Sequence, residues 1–426
     1  MRALYFTGAY RPDSMVSHTH GDLVAAIRAR GVDAEMLTLA PGDQTVAVTA
    51  RPDSHGTTVT YLRAGSGISN RARRFYSARR WRYAPFLSSV RALRHYLTPA
   101  VLARYDVIQV GMAFPHATIF RHALAGRAHP PVIVTITGGD IATGEKAEYG
   151  YGRTATTRRE IATTLQWAAL VQANSPQSAR VVAAFGCPPA RIAIQPPQSP
   201  VAPVPPAAIT AYRAAARTRL LASGVLPAGR VLIGLGRMVP VKAYDDVIRA
   251  LPAIRAACGD VSAHFIGPAR DAAATAYAQS LTALAASLDM SDHVTVRGQI
   301  PADDVPAYLA AADLVLVPSL YDGLNKTGIE AGAVGTPVVI SDAAGLADYV
   351  WEYGAGVVVP PRAPDALASA IIALLSDTPA WTAVSVGAHA MAETFTLDHT
   401  ADGVIRLYER VLGNTLVAAT PEGASR

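Results

Sequence analysis

The chain has 426 residues, of which 50% are hydrophobic and 16% are charged. This composition excludes a disordered chain, and the length suffices for two α/β domains with separate cores. The net charge of +6 favours anionic partners, although only weakly. Apolar runs are shorter than the ~18–20 residues of a membrane helix, and the first nine residues are too short for a secretory signal, so we expect a cytoplasmic protein.

The chain contains two cysteines, Cys187 and Cys258, which lie far apart in the sequence. They lack the short spacing of metal ligands, and a cytoplasmic protein rarely forms disulfides. We therefore expect two buried free thiols and no metal site.

Apolar strands alternate with helical segments over residues 1–195, which predicts a doubly wound parallel sheet. The predicted strands are residues 2–7, 34–39, 106–111, 131–137 and 167–172, and the predicted helices include residues 22–30 and 118–128. Residues 196–206 are proline-rich and predict a linker, because proline suits neither helix interiors nor central strands.

A second alternating series predicts another doubly wound domain over residues 207–385. Its predicted strands are residues 231–235, 263–266, 294–297, 314–318, 337–340 and 356–359, and its predicted helices include 209–223, 303–311 and 364–375. Residues 386–414 contain a further helix, predicted at 400–412, and residues 415–426 are expected to form a flexible tail.

Residues 314–341 predict a strand, a turn, a short helix and a second strand. Asn325 is a good N-cap, and Gly335 and Pro337 end the helix. Such a helix directs its free amides out of the carboxyl end of a strand, where open α/β sheets bind ligands and where a phosphate is well accommodated. The candidate amides are those of Lys326, Thr327 and Gly328.

Two carboxylates accompany this helix. Glu330 lies too far along the helix to cap it, so it is suited to accept hydrogen bonds from neutral hydroxyls such as those of a ribose. Asp322, on the preceding loop, can hold a second set of hydroxyls. The alternative is an ordinary strand–helix–strand unit with a solvated Asp322.

A glycine-containing loop follows the predicted strand at residues 231–235. Gly236 permits close approach of a ligand to the backbone, and Arg237 and Lys242 are near enough in sequence to reach one diphosphate. A dinucleotide-binding turn is the rival interpretation, but the third glycine is missing and Ala256 stands where an acidic residue is expected.

Together these motifs resemble those of retaining glycosyltransferases of family 4, most specifically over residues 231–350. The resemblance is carried by the Asp-x7-Glu spacing of residues 322–330 and the Gly-Arg…Lys loop of residues 236–242. Asp322 stands where the family has glutamate, and Ala243 replaces a second glycine. The resemblance implies a GT-B architecture, in which two Rossmann-like domains face each other across a cleft and the last helix crosses back to the first domain.

The resemblance also implies roles for individual residues. Arg237 and Lys242 would neutralise a departing nucleoside diphosphate, and Asp322 would hold sugar hydroxyls. The residues implied to bind the nucleotide are Gly236, Gly298, Ile300, Asn325, Lys326, Thr327, Gly328 and Glu330, with Gly298 and Ile300 against the base. Those implied to act in catalysis are Arg237, Lys242, Asp322, Asp140 and His116.

The first domain resembles the family less. Its Gly-Gly-Asp at residues 138–140 matches, which places Asp140 near the transferred sugar or the acceptor. Thr137 and Gly111 stand where the family often has histidines, and His116 on a neighbouring loop is a candidate replacement. A partly buried histidine without a catalytic duty is an equally open interpretation of His116.

Two further segments have several interpretations. His18 and His20 lack further metal ligands at useful spacing, so we interpret them as part of a loop that faces the acceptor or caps a helix. Residues 71–94 interleave arginines with aromatic residues. They predict a solvated helix, a contact with an acidic acceptor, or a contact with an anionic membrane surface or lipid-linked acceptor; nucleic acid is disfavoured because no reader motif accompanies them.

We therefore expect a retaining, metal-independent glycosyltransferase that uses a nucleoside-diphosphate sugar and no separate cofactor. The acceptor is left open between cell-envelope or lipid-linked glycans and secondary metabolites, and the cytoplasmic location includes the inner face of the membrane. The alternatives are a sugar-nucleotide epimerase or phosphorylase of the same architecture, and an inactive partner protein that binds sugar nucleotides.

Overall fold

A computed structural model describes residues 1–8, 15–41, 47–64, 86–144 and 149–418. Within these ranges the chain forms two β-sheets covered by helices, which confirms the expected α/β class. Alternate residues of the central strands enter different cores: Leu4 and Phe6 pack on one side of the first sheet, and Ala3 and Tyr5 pack on the other. Both faces of the sheet are therefore buried, as in doubly wound folds.

The first sheet has the strand order β3-β4-β2-β1-β5-β6-β7-β8, and all neighbours are parallel except the antiparallel pair β3 and β4. Its strands are β1 (Arg2–Thr7), β2 (Asp33–Pro41), β3 (Ala47–Pro52), β4 (Thr58–Ala64), β5 (Val107–Gly111), β6 (Val132–Thr135), β7 (Leu170–Ala173) and β8 (Ile192–Ile194). Its helices are α1 (Met15–Ala29), α2 (Leu87–Tyr96), α3 (Pro99–Leu102), α4 (Thr118–Leu124), α5 (Ala155–Trp167) and α6 (Pro176–Ala184).

Two parts of this domain differ from the sequence prediction. Helix α1 begins at Met15 rather than near residue 22, so His20 lies on a helix, where its Nδ1 is 2.8 Å from the Tyr5 hydroxyl of β1. The hairpin of β3 and β4 was not predicted. Its turn is closed by the Asp53 carboxylate, which accepts hydrogen bonds from two amides, and such side-chain bonding is not visible in hydrophobic periodicity.

The second sheet has the order β11-β10-β9-β12-β13-β14 and is entirely parallel. Its strands are β9 (Arg230–Leu235), β10 (Val261–Ile266), β11 (Val294–Arg297), β12 (Leu314–Val317), β13 (Val338–Ser341) and β14 (Gly356–Val359). The helices of this half are α7 (Ile209–Ala222), α8 (Tyr244–Cys258), α9 (Ala272–Ser287), α10 (Val305–Ala311), α11 (Lys326–Ala333), α12 (Ala347–Glu352), α13 (Pro364–Ser376) and α14 (Thr378–Glu393). The strand order reverses between β9 and β12, and a crevice at the carboxyl ends of these strands is where such sheets bind ligands.

The last helix, α15 (Leu397–Ala418), packs against the first domain. Val404 and Tyr408 share a core with Ile27 of α1, and Arg30 forms ion pairs with two aspartates of α15. The helix continues through Gly413 to Ala418, beyond its predicted end at residue 412 and into the predicted tail of residues 415–426, because one glycine costs a helix only about 1 kcal/mol.

The described residues contain no single helix with the length and hydrophobicity needed to cross a membrane. Helices α13 and α14 meet that criterion only as a pair, and they are bent by 103° where they join.

We expect Tyr408→Phe to lower the free energy of unfolding by about 1–3 kcal/mol. The buried Tyr408 hydroxyl donates to Gln109 Oε1 at 2.5 Å, and Gln109 donates its own amide group to Gln172. The substitution would leave a buried carbonyl oxygen without a partner. Urea denaturation followed by circular dichroism measures the change.

Tyr212→Phe is the matched control for this experiment. Tyr212 is half-buried, and its hydroxyl makes no hydrogen bond within the described ranges, so the expected change is within about 0.5 kcal/mol. Equal effects of the two substitutions would contradict the structural role of the Tyr408 hydrogen bond.

Candidate functional site

The carboxyl edges of the two sheets meet at two glycines. A Cβ atom built on Gly323 would lie 2.5 Å from the Cα atom of Gly138, so only glycine permits this approach. The Ser175 hydroxyl, which also caps α6, donates to the Gly323 carbonyl at 2.8 Å, and Ser178 donates to the same oxygen at 3.1 Å. The loops that follow β6, β7 and β12 therefore enclose one site.

An ion pair joins the two predicted motifs at this edge. Lys242 Nζ lies 2.6 Å from Asp322 Oδ2, and the side-chain amide group of Asn325 donates to the same oxygen at 2.9 Å. Burial alone raises the pKa of Asp322, but Lys242 and the Asn325 amide outweigh it and hold the pKa below its usual value. Asp322 is therefore ionised at neutral pH and is placed to accept hydrogen bonds from hydroxyls.

Helix α11 begins at the expected N-cap. The side-chain oxygen Oδ1 of Asn325 accepts a hydrogen bond from the Gly328 amide at 2.9 Å, and the Thr327 hydroxyl donates to the Leu235 carbonyl at the end of β9. Of the three amides predicted to be free, that of Gly328 is occupied by the cap. The helix start therefore leaves the amides of Lys326 and Thr327 as the candidates for an anion.

Glu330 lies one turn further along α11 with 6% of its surface exposed. Its carboxylate makes no hydrogen bond or ion pair with any residue that the structure describes. Burial raises the pKa of Glu330 to about 7, although Lys326 opposes the shift. Burial likewise lowers the pKa of Lys326, and Glu330 opposes that shift. A ligand hydroxyl would supply the hydrogen bonds that this carboxylate lacks.

Glu330 lines a cavity of about 750 Å³ between the two domains. Its walls come from α1, the proline-rich linker, the residues before α10 and the turn before α15. The other lining residues are Thr19, Asp22, Gln198, Ser199, Pro200, Val201, Ala202, Pro203, Ala302, Asp303, Val305, Pro306, Thr396 and Leu397. A cavity of this size accommodates a small ligand.

Gly298 and Ile300 are not among the residues that line this cavity. Gly298 is exposed with open space where a Cβ atom would project, and Ile300 packs partly against the domain core. Ala302, two residues further on, is part of the cavity wall.

Arg237 and two tyrosines connect the domains across the cleft. The exposed Arg237 guanidinium donates to the Tyr149 hydroxyl at 3.2 Å and lies 5.7 Å from the centre of its ring. The Tyr321 hydroxyl donates to the Gly138 carbonyl at 3.1 Å. Sequence reasoning missed both tyrosines, because no local pattern indicates a contact between residues so far apart.

Asp140, which the sequence predicts near the transferred sugar or the acceptor, lies two residues beyond Gly138, and Gly138 contacts Gly323. The Asp140 side chain is fully buried and accepts hydrogen bonds from the Ala113, Thr137 and Gly138 amides and from the Thr137 hydroxyl. Burial raises the pKa of Asp140, although these hydrogen bonds act in the opposite direction. Its acceptor atoms are used by the protein, so we assign it to positioning Gly138 and the loop after β5.

His116 lies in the first domain, beside the start of the loop that follows β1. A Cβ atom on Gly8 would lie 1.8 Å from His116 Nε2, so the imidazole covers this glycine, and His116 Nδ1 is 3.1 Å from the Gly111 carbonyl. Burial lowers the pKa of His116, partly offset by that hydrogen bond. Burial, together with Lys326 and His116, lowers the pKa of His20 to about 4. The His20 imidazole is therefore neutral at pH 7 and lies within electrostatic range of Lys326, in the first turn of α11.

Some expectations fall outside the described residues. Residues 71–85 of the arginine-rich segment and the side chain of His18 are among these. Within the described ranges, no group of three or more histidine, cysteine or acidic residues is arranged to hold a metal ion. Cys187 is a buried free thiol and Cys258 is a half-buried one.

Two parallel-sheet domains, a linker between them and a site at their facing carboxyl edges define the GT-B class of glycosyltransferase fold. Residues 16–198 match the glycosyl transferase 4-like domain, and residues 229–377 match the glycosyl transferases group 1 domain. These two matches cover most of the chain. The chain therefore belongs to the GT-B glycosyltransferases of the family 4 type.

Comparison with curated proteins and solved structures supports this assignment. The chain is 32% identical to a D-inositol 3-phosphate glycosyltransferase of Salinispora arenicola, over 60% of this chain and 56% of that protein. It thus spans little more than half the length of the curated relatives that it matches.

Two solved structures share the fold along almost the whole chain. Sucrose-phosphate synthase from Thermosynechococcus elongatus has a TM-score of 0.73 and 20% identity, covering 97% of this chain and 99% of that one. The Anabaena protein HepE in complex with UDP-glucose has a TM-score of 0.68 and 18% identity, covering 96% and 100%. At these identities the likeness concerns the fold alone.

We expect Gly323→Ala to reduce catalytic activity at least about tenfold while each domain keeps its fold. The added methyl group would collide with the backbone of Gly138 and hold the two edges apart. Sugar-transfer kinetics measure the loss, and small-angle scattering measures the domain separation. Gly413→Ala, where nothing lies within 4 Å of the added atom, is the control. Unchanged activity and dimensions in Gly323→Ala would contradict the close approach.

We expect Glu330→Gln to raise the melting temperature at pH 8.5 more than at pH 5. The pKa of Glu330 is raised from 4.5 to about 7 in the folded chain, so the native state binds the proton more tightly than the unfolded state. Stability is therefore lost as the pH rises from 4.5 through 7, by at most about 3 kcal/mol. A glutamine avoids this loss.

Differential scanning fluorimetry across this pH range measures the effect. Glu393→Gln is the control, because the Glu393 side chain is 57% exposed and no comparable pH-dependent gain is expected. A difference between Glu330→Gln and wild type that is independent of pH would contradict the raised pKa.

Proposed function

We propose that the protein transfers a sugar from a nucleoside-diphosphate sugar to a hydroxyl acceptor with retention of anomeric configuration. The observation that carries the proposal is the grouping of Lys242, Asp322 and the start of α11 at the switch point of the second sheet. This grouping offers cations and amides for a diphosphate beside a carboxylate for sugar hydroxyls. The two domain matches and the family membership support it.

In this proposal Glu330 binds the ribose hydroxyls and the adjoining interdomain cavity receives the nucleoside. Lys242, Arg237 and the Lys326 and Thr327 amides stabilise the diphosphate. Asp322 is ionised and half-enclosed, so it can orient the sugar. Lys242 pairs with Asp322, and a bound diphosphate would compete for the ammonium group.

The transfer step balances without a further reactant. The acceptor oxygen forms a bond to the anomeric carbon on the face that the leaving group departs from, while the bond from that carbon to the phosphate oxygen breaks. The acceptor proton passes to the departing phosphate oxygen, and the nucleoside diphosphate leaves. The residues contribute chiefly by orienting the reactants and stabilising the developing phosphate charge, so we propose that no metal is required.

The donor base and the acceptor are the finer parts of the proposal. Solved structures of this fold include complexes with UDP and UDP-glucose, and the curated relatives are named for D-inositol 3-phosphate, so UDP-sugars and that acceptor are the first candidates. A cytoplasmic location, and membrane contact through residues 71–94, are proposals from the sequence. The comparisons do not favour an epimerase or an inactive partner protein.

We expect Lys242→Ala to lower kcat by a factor of about 10²–10³, because one cation that stabilises the leaving group is lost. Radiolabelled UDP-glucose with D-inositol 3-phosphate, and with a panel of other hydroxyl acceptors, provides the assay. Lysine replaced by alanine also removes charge, so the matched control is Arg406→Ala, which removes a cation from the exposed side of α15. Wild-type turnover in Lys242→Ala would contradict the assigned role.

A further inference from the structure

A second basic site lies at the opposite edge of the second sheet. Two cavities of about 490 and 240 Å³ share Arg213, Arg230 and Asp313 in their walls. Arg230 is the first residue of β9, and Asp313 directly precedes β12. We call these two cavities and their walls the basic pit. The length of β9, about 20 Å, separates it from Lys242 and Asp322.

The pit carries more positive than negative charge. Arg213, Arg217 and Arg230 line the larger cavity, and Asp313 is the carboxylate that faces them. The remaining acidic residue of the wall, Asp260, is paired at 3.4 Å with an arginine outside the wall, Arg255.

Two of these guanidinium groups have structural partners, and the third does not. Arg213 donates to the Ala312 carbonyl at 2.7 Å, and Arg217 donates to the Ala311 carbonyl at 2.8 Å, so both bind the end of α10. In the described part of the chain, no hydrogen bond or ion pair reaches the side chain of Arg230, although it is half-buried. A guanidinium without a protein partner has five donors available to an anion.

Arg213 lies close to a second positive charge, that of Arg217. Burial lowers the pKa of Arg213 to about 10, Asp313 opposes this shift, and the neighbouring Arg217 adds to it. An anion beside Arg230 would offset this crowding of like charges. Guanidinium groups match phosphate oxygens in a bidentate geometry, which makes phosphate the favoured anion.

Two other wall residues, Asp313 and Trp381, offer contacts for the parts of a ligand other than its phosphate. Asp313 Oδ2 accepts from the Val231 amide at 2.7 Å and lies 3.6 Å from Arg217, and its carboxylate has further capacity to accept hydrogen bonds from hydroxyls. Trp381 forms one side of the smaller cavity. The Arg213 guanidinium lies over its ring, with the guanidinium carbon 4.9 Å from the ring centre. An aromatic wall beside a carboxylate suits a carbon skeleton that bears hydroxyl groups.

We propose that the basic pit binds a small phosphate monoester with several hydroxyl groups, such as a sugar phosphate. Its phosphate contacts Arg230, and its hydroxyls contact Asp313. The pit lies at the edge opposite the candidate active site, so this proposal does not depend on the transfer reaction.

Isothermal titration of the full chain with glucose 6-phosphate, at constant ionic strength, tests the proposal. We expect wild type to bind it and to bind neutral glucose at least tenfold more weakly. Arg230→Gln should weaken binding at least about tenfold, because the anion loses its unpartnered guanidinium. Lys242→Ala should leave the affinity unchanged, because its cation lies in the other site.

A second pair of variants distinguishes a loss of phosphate binding from an effect of the Arg230 substitution on folding. Ala214 is an exposed residue of α7 in the wall of the larger cavity. Ala214→Glu places a negative charge there and should abolish binding. Ala214→Gln, whose side chain has the same size as that of glutamate but no charge, should retain binding. Glucose 6-phosphate should also change tryptophan fluorescence in wild type, and Trp381→Phe should remove that change.

Three results would overturn the proposal. The first is equal affinity in wild type, Arg230→Gln and Ala214→Glu. The second is loss of binding in Lys242→Ala with retention in Arg230→Gln, which would place the phosphate in the candidate active site. The third is no binding to wild type at concentrations up to about 10 mM.

Discussion

The close approach of Gly138 and Gly323 is the constraint on which the candidate site depends. Parallel sheets place the loops that follow their strands at one edge, and here two such edges face each other. Because neither glycine carries a side chain, Ser175 of the first domain can reach the Gly323 carbonyl. The polar groups of both domains thereby line one enclosed space, in which electrostatic interactions are less screened than in open solvent.

Burial sets different protonation states for the groups around this space. The pKa of Asp322 lies below its usual value, since Lys242 and Asn325 outweigh the effect of burial, whereas burial raises the pKa of Glu330 to about 7. The pKa of His20 falls to about 4, so its imidazole is neutral. Near neutral pH the site thus combines an ionised carboxylate (Asp322), a carboxylate that titrates (Glu330) and a neutral imidazole (His20).

Local motifs made much of the second domain predictable. The site residues of this domain lie on the loop after β9 or on the loop and helix after β12, and the strand–loop–helix unit fixes where such residues lie; they are Lys242, Asp322, Asn325 and Glu330. The six strands of that sheet were recognisable as short apolar runs, because a parallel sheet is buried on both faces. Ala243 shows the limit of such reasoning: it replaces a family glycine and adopts a φ of 50°, a conformation that glycine adopts more readily.

Contacts between distant parts of the sequence were not predictable. Arg237 and Tyr149 are 88 positions apart, and Ser175 and Gly323 are 148 apart, so neither contact leaves a local pattern. Asp140 was expected in the cleft, but its spacing after two glycines cannot show that the backbone uses its oxygens. The basic pit was not predictable either, because its arginines come from α7 and β9 and lie together only in the folded domain.

The most direct test of the nucleotide site is thermal stabilisation by UDP, GDP, ADP and dTDP, with and without magnesium, on wild type and on Glu330→Ala. We predict a rise in melting temperature with one nucleotide, independent of magnesium and largely lost in the variant, because the ribose would lose its carboxylate partner. No rise with any nucleotide, or an equal rise in Glu330→Ala, would contradict a nucleotide site at the facing edges of the two sheets.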